Sequence, residues 1–154
     1  MNEPQLRNYI QILLFLAFVI PAIIFFLAQQ RTLQAIRPVN RRMPPGQVWF
    51  QLIPIVGLIW QFFVIRRISD SIRNELNTPI DDSIFAETTI PAGHRPAYNV
   101  GILYSSLYCT SVIPHSPLLK CIIALPGMVA WITYWVQLSR YKKQIKERAL
   151  LLNS

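Results

Sequence analysis

Charge is scarce in this sequence, and it is missing where apolar residues are concentrated. Only 14% of the 154 residues are charged and 53% are hydrophobic, whereas roughly a quarter of an ordinary soluble domain is charged. None of the long apolar stretches has an Asp, Glu, Lys, Arg or His well inside it. Ionisable groups inside a membrane usually mark proton relays, ion pathways or coupled transport. Their absence argues against a coupled pump or a charged-substrate transporter acting as a monomer.

Catalytic and metal-binding motifs are also lacking. The sequence has no G-x-S-x-G, H-E-x-x-H or P-loop pattern, and its five glycines are scattered. The two cysteines, Cys109 and Cys121, form no C-x-x-C and no metal-ligand spacing with His94 or His115. Both cysteines are typical of small buried residues. We therefore predict no enzymatic activity, no cofactor and no metal.

Acidic residues are few, since seven Asp and Glu stand against fifteen Lys and Arg, for a net charge of +8. The basic residues flank apolar segments, which favours anionic lipid headgroups over nucleic acid as the partner. No basic and aromatic groove of the nucleic-acid-binding type lies outside the apolar stretches. The predicted headgroup contacts are Arg41, Arg42, Arg66, Arg67, Lys142 and Lys143.

Four apolar segments divide the single domain, residues 1–154, at about 9–28, 48–65, 98–113 and 118–138. Segments of about 20 apolar residues suit a bilayer-crossing helix. The last segment is interrupted by Pro126-Gly127. An acidic loop, 78–97, separates the second and third segments, and a basic helix, 139–152, follows the fourth. Asp81-Asp82 in that loop is more typical of a solvated turn than of a cation site.

The second segment decides the topology, because Pro54 and Gly57 lie near its centre. If all four segments cross, the four-arginine connector at 31–42 lies outside, against the positive-inside rule. If residues 48–65 instead enter and leave on one side, thirteen of the fifteen Lys and Arg are cytoplasmic. We prefer this re-entrant arrangement, with the C-terminus inside. Four crossings with a kinked second helix are the alternative.

The fold prediction is an all-α integral membrane protein. It has a bundle of three spanning helices plus a Pro/Gly-broken re-entrant or kinked fourth segment. Small hydroxyl residues on the third segment are typical of contact surfaces between membrane helices. The predicted contact face is Ser105, Ser106, Thr110 and Ser111.

A set of Trp, Pro and Arg landmarks carries a family resemblance. It comprises Asn40-Arg41-Arg42-Met43-x-Pro45, Val48-Trp49, Leu52-Ile53-Pro54, Trp60 and Ile68-Ser69-Asp70-Ser71. The pattern covers about a fifth of the chain and resembles small bacterial multi-pass membrane proteins of unknown function. The resemblance implies a bacterial membrane location and implies nothing about mechanism.

Two classes of function remain. The first is a non-enzymatic accessory or scaffold subunit of a larger membrane complex. The second is an oligomeric channel or carrier for a small uncharged solute, built around the Pro54–Gly57 break. We favour the first. The sequence identifies neither a partner nor a permeant, and it leaves the oligomeric state open.

Overall fold

The structure, a computed structural model, describes residues 3–78, 90, 91, 93–114 and 116–151, and these form helices joined by short connectors, without a strand. Four α-helices are α1 (Glu3–Ala35), α2 (Val56–Asn77), α3 (Tyr98–Val112) and α4 (Pro117–Leu151). Two 3₁₀ helices, Pro38–Asn40 and Pro45–Leu52, lie between α1 and α2. The all-α prediction is confirmed for these residues. Most of the predicted acidic loop, including Asp81-Asp82, lies outside the described residues, as does His115.

The carboxyl ends of α1, α2 and α4 meet at one end of the molecule. Just beyond α1, Arg37 bonds Glu75 near the end of α2, with 2.8 Å between Nε and Oε1. Arg148 of α4 donates to the carbonyl of Leu76 on α2. Helix α3 runs in the opposite direction, since it precedes α4 with only four residues between them. We call this meeting point the basic end, because the Arg and Lys residues that follow the apolar stretches of α1, α2 and α4 gather there.

Part of the buried core lies at the basic end. Its aliphatic side chains are at most 1% exposed and come from α1 and the residue that follows it, from α2 and from α4: Leu33, Ile36, Ile68, Ile72, Leu138 and Ile145. The every-fourth-residue pattern Ile68, Ile72, Leu76 predicts one apolar face on α2. That prediction is confirmed, since Ile68 and Ile72 are buried and Leu76 packs against the core.

Two helices, α1 and α4, are long and apolar enough to cross a membrane. Three were expected. Helix α3 has 15 residues, or about 22 Å at 1.5 Å per residue, against a hydrocarbon core of about 30 Å. Only 6% of the apolar window of α1 and 17% of that of α4 are buried. A core helix of a soluble protein is mostly buried. The apolar surfaces of α1 and α4 are mostly exposed, which suits the lipid of a membrane better than water.

Both long helices contain a proline, Pro21 in α1 and Pro126 in α4. The predicted interruption at Pro126-Gly127 is wrong, because α4 continues through it as one helix of 35 residues. A proline removes one backbone hydrogen bond, and membrane helices tolerate that loss while their other backbone groups stay paired. The basic segment beyond residue 138 is therefore the last part of a helix that begins at Pro117.

Candidate functional site

The second apolar segment folds as a hairpin with two unlike arms. Its first arm is the 3₁₀ helix Pro45–Leu52, and its second arm is the start of α2. Proline at the first helical position fits the first arm, because it has no N–H to leave unpaired there. The backbone turns between the arms at Ile53, Pro54 and Ile55. The predicted break thus coincides with the end of one helix and the start of another.

The turn itself is tight and strained. The Val56 N–H donates to the Pro54 carbonyl at 2.7 Å, which closes a three-residue γ-turn. Its central residue, Ile55, has φ 65° and ψ −56°, a conformation that a β-branched residue rarely adopts. Ile55 is also 78% exposed. The apex of the hairpin therefore presents an apolar side chain to its surroundings on a strained backbone.

Gly57 lets the two arms approach each other. A Cβ at this position would overlap the carbonyl oxygen of Gln51 and lie 2.8 Å from its carbonyl carbon. These are backbone atoms of the other arm, so no side-chain rotation relieves the overlap. Of the two residues predicted to form the break, Pro54 lies in the turn and Gly57 supplies the close approach.

Polar side chains fix the first arm and the turn of the hairpin against the bundle. Gln51 donates from Nε2 to Oε1 of the buried Gln29 on α1 at 2.7 Å, and the Trp49 indole donates to Gln30 at 2.8 Å. On α2, the Gln61 amide reaches the sulfur of Cys109 on α3 at 3.2 Å. Interhelical hydrogen bonds of this kind stabilise helix association where the alternative partner is hydrocarbon.

An aromatic cluster lies beside these contacts. The Phe25 ring on α1 has the rings of Tyr104, Trp131, Tyr134 and Trp135 within 5.4–6.0 Å. Tilted and edge-on pairs at such distances contribute beyond their buried area. The cluster joins α1 to α3 and α4. It also fixes the register of α1 and α4, which run side by side in the same direction.

At the basic end, a buried carboxylate receives the connector that follows α1. Glu75 is 9% exposed and accepts the Nε–H and the backbone N–H of Arg37 at 2.8 and 3.2 Å. Asn40 donates to the same carboxylate at 2.7 Å and to Thr78 at 2.9 Å. Paired and hydrogen-bonded in this way, the carboxylate holds the connector on the end of α2.

A groove opens between the last turns of α1 and α4 at the same end. It has a volume of about 390 Å³ and is lined by Arg31, Gln34, Ala35, Lys142 and Lys146. Three of these five residues are cationic. Positive charge that α1 and α4 carry separately in sequence is thereby brought into one concave surface.

The predicted contact face on α3 divides between the inside and the outside of the bundle. Ser105 is fully buried, whereas Ser106 is exposed and Thr110 and Ser111 are half-buried. Thr110 and Ser111 donate to carbonyls of their own helix, at 2.9 and 2.7 Å. Within the chain, α3 packs through Ser105 and its neighbours on that face. The other three hydroxyl residues stay on the outer part of the helix.

The predicted headgroup residues all lie toward the basic end, in different settings. Arg66 and Arg67 are exposed on α2, and so is Arg42 in the connector. Arg41 instead bonds the end of α1, donating to the Gln34 and Ile36 carbonyls. Lys142 lines the groove, and Lys143 pairs with Glu147 at 3.7 Å. Their contact with lipid stays a prediction.

No sequence signal identified Glu75 or Gln29, two buried polar side chains that join the connector and the hairpin to the rest of the bundle. Glu75 is one of two acids on an amphipathic helix, with Asp70, and its partner Arg37 lies 38 residues earlier. An acid near the end of that helix and an all-basic connector were the available signal. Gln29 lies near the end of the charge-free stretch of α1 and gives no signal of its own.

Among the described residues, no three His, Cys, Asp or Glu side chains lie close enough to share a metal ion. No family model matches the sequence, and neither a search of curated proteins nor one of solved structures finds a match. The resemblance to small bacterial membrane proteins therefore stays a prediction.

Proposed function

We propose that the chain is a non-enzymatic, multi-pass protein of the bacterial cytoplasmic membrane, an accessory or scaffold subunit of a larger membrane complex. In this proposal α1, α3 and α4 cross the bilayer, the hairpin re-enters from the cytoplasmic side, and the basic end is cytoplasmic. Its partner is a transmembrane helix of a different protein.

The polar junction at Glu75 supports this topology. Four full crossings would place the connector after α1 on the opposite side of the membrane from the end of α2. The 2.8 Å contact of Arg37 with Glu75 and the 2.7 Å contact of Asn40 with Glu75 support an arrangement with both on one side. With the basic end inside, thirteen of the fifteen Lys and Arg are cytoplasmic, leaving Arg7 and Lys120 outside.

The lengths of the elements are compatible with this arrangement. Helix α3 covers about 22 Å, and Ile113, which follows it, is extended. One extended residue at about 3.3 Å brings the total near 26 Å, a few ångströms short of the ~30 Å core, and a bilayer thins locally around a short segment at modest cost. The apolar start of α2, residues 56–65, covers about 15 Å, or half of the bilayer.

The partner proposal rests on exposed surface in the outer half of the bundle, the half away from the basic end. Residues 3–18 of α1 are all exposed, so this part of α1 packs closely against no other described element. On α3, Ser106 is exposed near the middle of the helix, and Thr110, one turn nearer the outer end, is half-buried. Small residues on an open membrane surface allow close approach of another helix, because packing rather than hydrophobicity drives association in lipid.

Site-specific photocrosslinking in native membranes tests the partner proposal. A photoreactive residue at Ser106 should give one discrete product containing a second, different polypeptide. The same residue at Ile122, 66% exposed on α4, is the control and should give none. Crosslinks to lipid alone at both positions would contradict the proposal.

A product made of two copies of the chain would instead favour the second candidate, an oligomeric channel or carrier for a small uncharged solute. The exposed, strained apex at Pro54 and Ile55 is the observation that favours it, because broken membrane segments line some pores. The polar residues next to the hairpin, Gln51 and Gln61, bond within the chain. For that reason the scaffold function is preferred.

A further inference from the structure

The groove at the basic end concentrates positive charge that has no acidic partner. Arg31 and Lys146 are exposed and Lys142 is half-buried. Among the described residues, no carboxylate lies within ion-pair distance of these three cations. Glu147, the nearest acid in sequence, pairs with Lys143, outside the lining of the groove. Three cations facing one concave space repel one another unless an anion joins them.

Arg41 reduces the negative electrostatic potential at the carboxyl end of α1, beside the groove. A helix carboxyl terminus carries partial negative charge and unpaired carbonyls, which would weaken anion binding beside it. Here the Arg41 guanidinium donates to the Gln34 carbonyl at 3.0 Å and to the Ile36 carbonyl at 2.7 Å. Gln34 itself lines the groove. Arg41 therefore offsets the helix dipole and adds a fourth positive charge at the edge of the groove.

Apolar surface continues from the groove toward the middle of α1 and α4. Leu27 and Ile24 lie four and seven residues before Arg31, on the same face of α1, and are half-buried and exposed. Trp135 lies seven residues before Lys142 on α4 and is half-buried. A molecule with its head in the groove has apolar surface for its tail along the outside of the two helices.

We propose that this groove is a specific binding site for an anionic phospholipid whose headgroup carries two phosphate charges. Arg31, Lys142 and Lys146 bind the phosphate oxygens, and the Gln34 amide donates to the same headgroup. The acyl chains lie along Leu27 and Trp135. Basic pockets between membrane helices at the cytoplasmic side bind headgroups of this kind. The inference rests on the proposed membrane orientation and is independent of any protein partner.

Native mass spectrometry of the purified full-length chain in detergent tests the site. Cardiolipin, with two phosphodiesters, is titrated against phosphatidylglycerol, with one, and zwitterionic phosphatidylcholine. The wild type should retain one cardiolipin most tightly, phosphatidylglycerol less tightly and phosphatidylcholine not at all. The double variant Lys142→Gln/Lys146→Gln should bind cardiolipin roughly twenty-five-fold more weakly, since each cation that contacts a phosphate strengthens binding about five-fold.

The control variant Lys120→Gln/Arg140→Gln removes the same charge from exposed positions outside the groove and should keep cardiolipin affinity within about two-fold, because charge that does not contact the bound headgroup is screened. The variant Lys142→Arg/Lys146→Arg should also keep it. Equal loss in the groove and control variants would overturn the proposal in favour of general electrostatics. Inorganic phosphate binding as tightly as cardiolipin, with the same variant dependence, would overturn it in favour of a soluble anion. Helicity by circular dichroism checks that each variant is folded.

Discussion

Replacing Gly57 by alanine tests the closeness of the two hairpin arms. The added methyl group overlaps the Gln51 carbonyl on the other arm, and relief requires a shift of the backbone. Overpacking of this kind costs about 1–3 kcal/mol. Because the overlap is with backbone atoms, we expect the upper end of that range, about 3 kcal/mol. A helix gains at most about 1 kcal/mol when Gly becomes Ala, which leaves a net loss of about 2 kcal/mol. For a chain of this length that lowers Tm by about 4–8 °C.

Two other glycines make the test specific. At Gly101 the added Cβ lies 2.6 Å from an Ile65 side-chain carbon and 2.9 Å from the Tyr134 ring. Both side chains are buried, so this substitution should also destabilise the protein, by about 1–3 kcal/mol. At Gly127 the nearest atom is 3.4 Å away on Leu107, an ordinary contact, so the variant should equal or exceed wild-type stability. Thermal unfolding in mild detergent, followed by circular dichroism, measures all three. A Gly57→Ala protein as stable as the wild type would show that the arms do not touch.

Three further substitutions follow from the same contacts. Ile55→Gly should raise stability by about 1 kcal/mol, because relief of about 1–3 kcal/mol of strain exceeds the ~0.5–1 kcal/mol entropy cost of glycine; a lower Tm would contradict the γ-turn. Glu75→Gln should cost about 1–3 kcal/mol in thermal unfolding, since the buried carboxylate accepts three donors. The exposed Glu147→Gln should change stability by less than about 0.5 kcal/mol, and equal effects would argue against the polar junction. A double-mutant cycle of Gln29→Leu and Gln51→Leu should give a coupling of about 0.6 kcal/mol, and at most ~1.7; additive effects would refute the interhelical bond.

Periodicity and length predicted the parts of the fold that depend on one helix at a time. The every-fourth-residue pattern Ile68, Ile72, Leu76 located the apolar face of α2, and the charge-free stretch at 9–28 located α1. The Pro54 and Gly57 landmarks located the break in the second segment. These signals are local, so a single sequence is sufficient to detect them.

The rest of the fold and of the candidate site depends on contacts between residues that are far apart in the sequence. No local signal makes Pro45–Leu52 a 3₁₀ helix rather than an α-helix, because its conformation follows from packing against Gly57 and the Gln29 side chain. The pairing of Arg37 with Glu75 spans 38 residues. The basic groove combines residues of α1 and α4 that are more than a hundred positions apart. Long-range pairing of this kind is set by the bundle as a whole.

The central claim is that the connector after α1, the end of α2 and the end of α4 lie on one side of the membrane. Single cysteines are introduced at Val39, 85% exposed, at the exposed Lys143 and at the exposed Ser116. The background carries Cys109→Ala and Cys121→Ala. A membrane-impermeant maleimide in intact cells should label Ser116→Cys alone, with Val39→Cys and Lys143→Cys labelled only after permeabilisation. Labelling of Val39→Cys from outside while Lys143→Cys stays protected would mean four full crossings and would contradict the account.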